Sequence, residues 1–107
     1  MAKGDHLAEF EVYVLLAVAR LGDGGAYGVT IRQEIETRTG RQVSIGAVYA
    51  TLDRLEAKRL VSSRRASGEG ASRRLFAVTP PGAQALHETR VMRERLWRGV
   101  NLAPLLG

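Results

Sequence analysis

Seven cationic side chains fall within residues 54–74: Arg54, Lys58, Arg59, Arg64, Arg65, Arg73 and Arg74, against only Glu56 and Glu69. This segment sums to +5, and so does the whole 107-residue chain, so the remainder is neutral. Guanidinium and ammonium groups at this density hold phosphates, and a polyanion is the expected partner. Arginine can also reach guanine edges in a DNA groove.

Other chemistries fail on residue type or spacing. His6 and His87 sit near opposite ends, and neither has a second ligand or a carboxylate at metal or triad spacing. Both read as surface histidines. The glycines of LGDGGAYG match neither a phosphate-binding Walker loop nor the GxGxxG turn, because no strand precedes them and the spacing is wrong. They read as a helix terminator. Without cysteine there are no disulfides, thiolate metal sites or cysteine nucleophiles. Neither an enzyme nor a metal or cofactor site is expected. The longest apolar run, Val12 to Ala19, is shorter than the roughly 18 residues that span a bilayer. The start MAKGDH lacks a secretory signal's apolar core, so a cytoplasmic protein is expected.

The elements that must position the cations are legible in the hydrophobic period. A first helix is expected from about His6 to Leu21, with Leu7, Phe10, Val14, Leu15, Val18 and Leu21 at helical spacing. A second runs from about Tyr27 to Arg38, built on Ile31 and Ile35 and stopped by Gly40. A third starts at Ser44, an N-cap residue, and buries Ile45, Val48, Leu52 and Leu55. Its opposite face is Ala47, Ala50, Thr51, Arg54 and Lys58, small at one end and basic at the other. Small residues let a helix approach base edges closely. Leu60 to Arg65 and Arg73 to Thr79 read as two strands joined by the polar link ASGEGAS. Helices, then a basic hairpin, is the order of a winged helix-turn-helix, an α+β fold that is mainly helical.

On this reading Ser44, Gly46, Ala47, Tyr49, Ala50 and Arg54 lie nearest DNA. Lys58 and the wing arginines Arg64, Arg65, Arg73 and Arg74 add grip. Arg73 and Arg74 point to opposite faces of one strand, so one of the two faces DNA directly; Arg64 and Arg65 pose the same choice. Tyr49 is either a half-buried core edge or a hydroxyl donor to phosphate.

A last helix starts at Thr79, with Pro80 at its first position, and continues to about Arg98. Ala85, Thr89, Met92, Leu96 and then Gly99 or Val100 step along it as a short coiled-coil seam. A small core has no evident use for that seam, which points to a homodimer. The chain thus divides into a DNA-binding domain, 1–79, and a dimerisation helix with its tail, 80–107. Trp97 is an interface anchor or a stacking surface for a planar aromatic effector.

The ordered motifs resemble the PadR-like family of winged-helix transcriptional regulators over roughly residues 7–98. The match runs through EFEVYVLLAVARLGDGGAYGVTIRQEI, with Ala26-Tyr27-Gly28 opening the second helix, then Gly46-Ala47-Val48-Tyr49, Leu52-Asp53-Arg54-Leu55-Glu56 and Leu60-Val61. It closes on Arg73-Arg74-Leu75-Phe76-Ala77-Val78-Thr79 and Gly82. Ala50 stands where the family often has proline, and Leu75-Phe76 where it often has two aromatics. The single short last helix resembles the family's smaller branch, in which this helix pairs with the partner's first helix. The resemblance implies a homodimeric repressor on a palindromic double-stranded operator, released in some members by a small planar molecule. The rival expectation is a winged helix that docks an acidic protein partner through the basic face.

Overall fold

In the computed structural model, residues 7–66 and 73–107 are described. Helices α1 (Glu9–Leu21), α2 (Gly28–Thr39) and α3 (Ile45–Ala57) come first. Strands β1 (Val61–Arg65) and β2 (Arg74–Val78), then α4 (Pro80–Trp97) and the short α5 (Ala103–Leu106), follow. The strands pair antiparallel, with Val61 opposite Val78 and Arg65 opposite Arg74. This is the expected winged helix-turn-helix. His6 and positions 67–72 of the ASGEGAS link lie outside the described residues.

Local chemistry sets the boundaries. The Ser44 hydroxyl accepts from the Ala47 amide at 3.0 Å, satisfying one orphan donor at the start of α3. Thr79 does the same for Gly82 at 3.1 Å, with Pro80 just inside α4. Gly40 closes α2 in the left-handed conformation, φ 73°. α3 ends in a Schellman turn: the Arg59 amide donates to Glu56 at 2.9 Å and the Leu60 amide to Leu55 at 2.9 Å. The turn holds Arg59 at φ +65°, so Leu60, expected to begin the first strand, lies in the turn.

The core forms where α1, α2, α3 and the hairpin meet. Val14, Leu15, Ile31, Val48, Leu52 and Leu55 are fully buried, and Phe76 of β2 closes one side. The Phe76 amide donates to the Ala26 carbonyl at 2.9 Å, fastening the wing to the loop before α2. Gly82 permits the second junction: a Cβ there would sit 2.1 Å from the Leu60 carbonyl oxygen.

Three expectations change in detail. Thr51, assigned to the outer face of α3, is only 1 % exposed. Thr51 stands three positions after Val48 and four before Leu55, so it belongs to the buried face rather than to the opposite one. The Thr51 hydroxyl remains satisfied by accepting from Arg54 Nη2 at 3.0 Å. Ile45, expected inside, is half-buried at the open end of the helix. The start of the α4 seam is used within the chain, since Ala85 and Leu86 pack against the core. Its last step is not helical: α4 stops at Trp97, and Gly99 at φ +80° turns the chain before Val100.

Candidate nucleic-acid interface

The N-terminal half of α3 is a surface of small groups. Ser44, Gly46, Ala47 and Ala50 are all exposed, and a Cβ built on Gly46 would meet nothing within 4 Å. No packing inside the chain requires glycine there. The open backbone allows close approach of another molecule. Tyr49, 37 % exposed, lays its ring on the first turn of α2; a Cβ at Gly28 would come 2.4 Å from its Cζ and hydroxyl oxygen. The tyrosine therefore locks α2 against α3 at the helix-turn-helix elbow while its edge stays at the surface.

The basic half of α3 is anchored from below. Glu11 of α1 is 4 % exposed, and its Oε2 accepts from Lys58 Nζ at 2.9 Å and lies 4.0 Å from Arg54 Nε. Its Oε1 accepts from the Ala8 amide at 2.9 Å. Burial pushes the Glu11 carboxyl up, but the Lys58 and Ala8 hydrogen bonds and the Lys58 and Arg54 charges outweigh burial and hold it below the ordinary range. Arg54 and Lys58 nevertheless keep roughly half their side-chain surface in solvent, 57 % and 45 %.

The four wing arginines differ in role. Arg74 Nη2 donates to Glu56 at 2.6 Å and to Ser63 at 3.2 Å, and Nη1 to Asp53 at 3.4 Å. Its guanidinium also lies 4.9 Å from the Phe76 ring centroid. Arg74 thus braces the hairpin against α3. Arg73 is exposed and rests its guanidinium 3.9 Å over the Tyr27 ring. Arg64 is exposed and 3.5 Å from the still more open Asp23, a contact that solvent screens. Arg65, opposite Arg74, is exposed.

The sequence reading missed Glu11, Asp53 and Glu56 as organisers of this face. A signal for Glu11 was present: it stands three, four and seven positions before Val14, Leu15 and Val18, in line with core residues.

α1 and α4 enclose an open groove of about 610 Å³, lined by Val12, Leu16, Leu86, Arg93 and Trp97 among others. Arg93 pairs with Glu9 across it. Along α4 and beyond it Met92, Leu96, Trp97 and Val100 are exposed, whereas Ala85 and Thr89 are half-buried, Thr89 donating to the Ala85 carbonyl. Among the described residues no cluster of His, Asp or Glu could hold a metal ion, and no helix is long and apolar enough to cross a membrane.

Comparison with known proteins accords with this geometry. A model of the transcriptional regulator PadR-like family matches residues 15–88. Transcriptional regulator Rv3488 of Mycobacterium tuberculosis is 41 % identical over 78 residues, which are 73 % of this chain and 72 % of that protein. A PadR family regulator from Clostridium difficile shares the fold at a TM-score of 0.71 and 22 % identity, covering 94 % of this chain and 100 % of that one. Bordetella bronchiseptica BpsR, whose DNA binding is regulated by 6-hydroxynicotinic acid, aligns at a TM-score of 0.69 and 20 % identity over 94 % of this chain and 72 % of its own. These relatives are regulators rather than enzymes, and they give no support to the acidic-protein docking alternative. The open small-residue helix, the basic wing and the family match over most of the chain make this protein a member of the PadR-like family of winged-helix, DNA-binding transcriptional regulators.

Proposed function

We propose that the chain is a cytoplasmic, homodimeric repressor whose two α3 helices enter successive major grooves of a palindromic operator. The observation that carries this reading is the exposed Ser44–Ala50 end of α3, where Gly46 has open space around it and no side chain obstructs a base edge. Arg54 follows on the same helix, and the exposed wing arginines Arg64, Arg65 and Arg73 reach toward the flanking backbone. Two-fold symmetry places the half-sites about one turn, ~10 bp, apart. The exposed Met92, Leu96 and Val100 on one side and the α1–α4 groove on the other form the complementary surfaces of the dimer.

A planar aromatic effector fits the same groove, with Trp97 as its stacking surface and Arg90 and Arg93 beside it for an anionic group. The control of BpsR by a hydroxylated pyridine carboxylate supports this class of ligand.

The deciding experiment titrates the protein onto DNA from immediately upstream of its own gene across a salt series. If the dimer neutralises roughly 6–10 phosphates, affinity falls by several orders of magnitude between 50 and 200 mM salt. A flat salt dependence sinks the DNA-reading assignment of this face. Quenching of Trp97 fluorescence by 6-hydroxynicotinic acid tests the effector reading separately.

A further inference from the structure

We propose that Glu11 is a positioning residue that sets the strength of sequence-independent DNA binding, its buried carboxylate withholding Lys58, and in part Arg54, from DNA phosphates. This rests on the assignment of α3 as the DNA-facing helix.

The geometry is that of a restraint. Glu11 reaches from α1 to the end of α3, and Lys58 is 47 positions away in sequence. One oxygen is fixed by the Ala8 amide, so the carboxylate cannot turn to follow a departing cation. The other oxygen holds Lys58 at 2.9 Å and faces Arg54 at 4.0 Å. At 4 % exposure Glu11 has little access to water. If Lys58 swings to a phosphate, it leaves a desolvated carboxylate short of its nearest positive partner, a far larger loss than breaking a surface pair. Arg64 makes the contrast. Its partner Asp23 is 89 % exposed on its side chain, so solvent takes over once Arg64 leaves.

DNA of any sequence offers phosphates, and each cation free to meet one strengthens binding everywhere alike. Holding back Lys58 lowers that uniform attraction. The small-residue end of α3, which can contact bases only when fully seated, then contributes a larger share of the total. Glu11 therefore tunes down the sequence-independent part of the affinity, for operator and other DNA alike, without touching either.

The test is Glu11→Gln, which keeps an oxygen for the Ala8 amide and removes the charge. With folding confirmed by circular dichroism, affinity for DNA lacking the operator should rise about fivefold per protomer at 0.15 M salt, with a slope steeper by about 0.9, as one freed cation predicts. Adding Lys58→Met should erase the gain. Unchanged non-specific affinity and slope in folded Glu11→Gln overturn the proposal, and so does a gain that survives Lys58→Met. If Glu11→Gln does not fold, the single variants decide: Lys58→Met should weaken non-specific binding less than Arg64→Ala does, and the reverse order overturns the restraint. Ala47→Asp, at the exposed small-residue end, checks the underlying assignment. If it leaves operator binding intact, α3 is not the reading helix and the inference falls with it. If it abolishes operator binding while Glu11→Gln changes nothing, only the restraint is lost.

Discussion

The ring of Tyr49 lies so close over Gly28 that a single methyl group on the glycine would approach its Cζ and hydroxyl to 2.4 Å. The contact joins the two helices of the helix-turn-helix by placing an aromatic face on bare backbone. It gives the Ala26-Tyr27-Gly28 and Gly46-Ala47-Val48-Tyr49 motifs a common physical cause, since the glycine of one is the seat of the tyrosine of the other.

Gly28→Ala and Gly82→Ala should differ sharply. At Gly28 the obstacle is the free end of a partly exposed side chain, which can swing away. That movement keeps the overpacking cost small. Stability should change by less than about 1 kcal/mol, while operator affinity falls as the Tyr49 ring leaves the elbow. At Gly82 the obstacle is the Leu60 backbone carbonyl, 2.1 Å from the new Cβ, which cannot move without parting α4 from the α3–β1 turn. A loss of at least about 2–3 kcal/mol is expected. Urea titrations of the two variants, read beside DNA binding, check both.

Arg74→Ala should act on stability and Arg64→Ala on DNA. Arg74 is shared among Glu56, Ser63 and Asp53, and its loss leaves Glu56 without its cation. A destabilisation of about 1 kcal/mol is expected after allowing for solvent screening. Arg64→Ala should leave the melting temperature within error and reduce the salt slope of DNA binding by roughly 0.9 per protomer. Thermal melts and salt-dependent titrations on the same preparations separate the two roles.

Arg59→Gly should stabilise the fold. Arg59 occupies the left-handed position of the Schellman turn at φ +65°, where a non-glycine residue carries about 1–2 kcal/mol of steric strain. Removing the side chain offsets part of this through greater freedom of the unfolded chain. A net gain of ~0.5–1 kcal/mol, a rise of several degrees in melting temperature, is the expected outcome by calorimetry.

Leu96→Glu should dissociate the proposed dimer without unfolding the protomer. Leu96 is 68 % exposed, so the chain itself does not depend on it. Self-association should weaken at least tenfold, about 1.4 kcal/mol, with an unchanged circular dichroism spectrum. Light scattering over a dilution series reads the change, and a persistent dimer would remove Leu96 from the interface.

Stability should fall on the acid side through Glu11. The native carboxyl titrates below its unfolded value, so its contribution is complete above the ordinary glutamate pKa of about 4.3. It is lost as pH drops from there through the lower native pKa. The Glu11→Gln variant lacks this loss, so the two melting curves should converge as the solution is acidified below that pH.

Local signals along the chain specify the elements and their order. Periodic apolar residues, Ser44 and Thr79 as caps, Pro80 and Gly40 as boundary markers are local signals, each acting within a turn or two of chain. The position of the positive charge is equally a property of the sequence, because the net charge over residues 54–74 is a simple sum. What each charge does follows from tertiary packing. Arg73 and Arg74 are adjacent and chemically identical, yet one rests on Tyr27 and the other bridges Glu56 and Asp53. Lys58 meets Glu11 because α1 passes beneath the end of α3. Such pairings depend on which helix faces lie against one another, a non-local property set by packing of the whole core. Propensity and period specify a helix's inner side, but the partners along its flanks exist only once the other elements have docked.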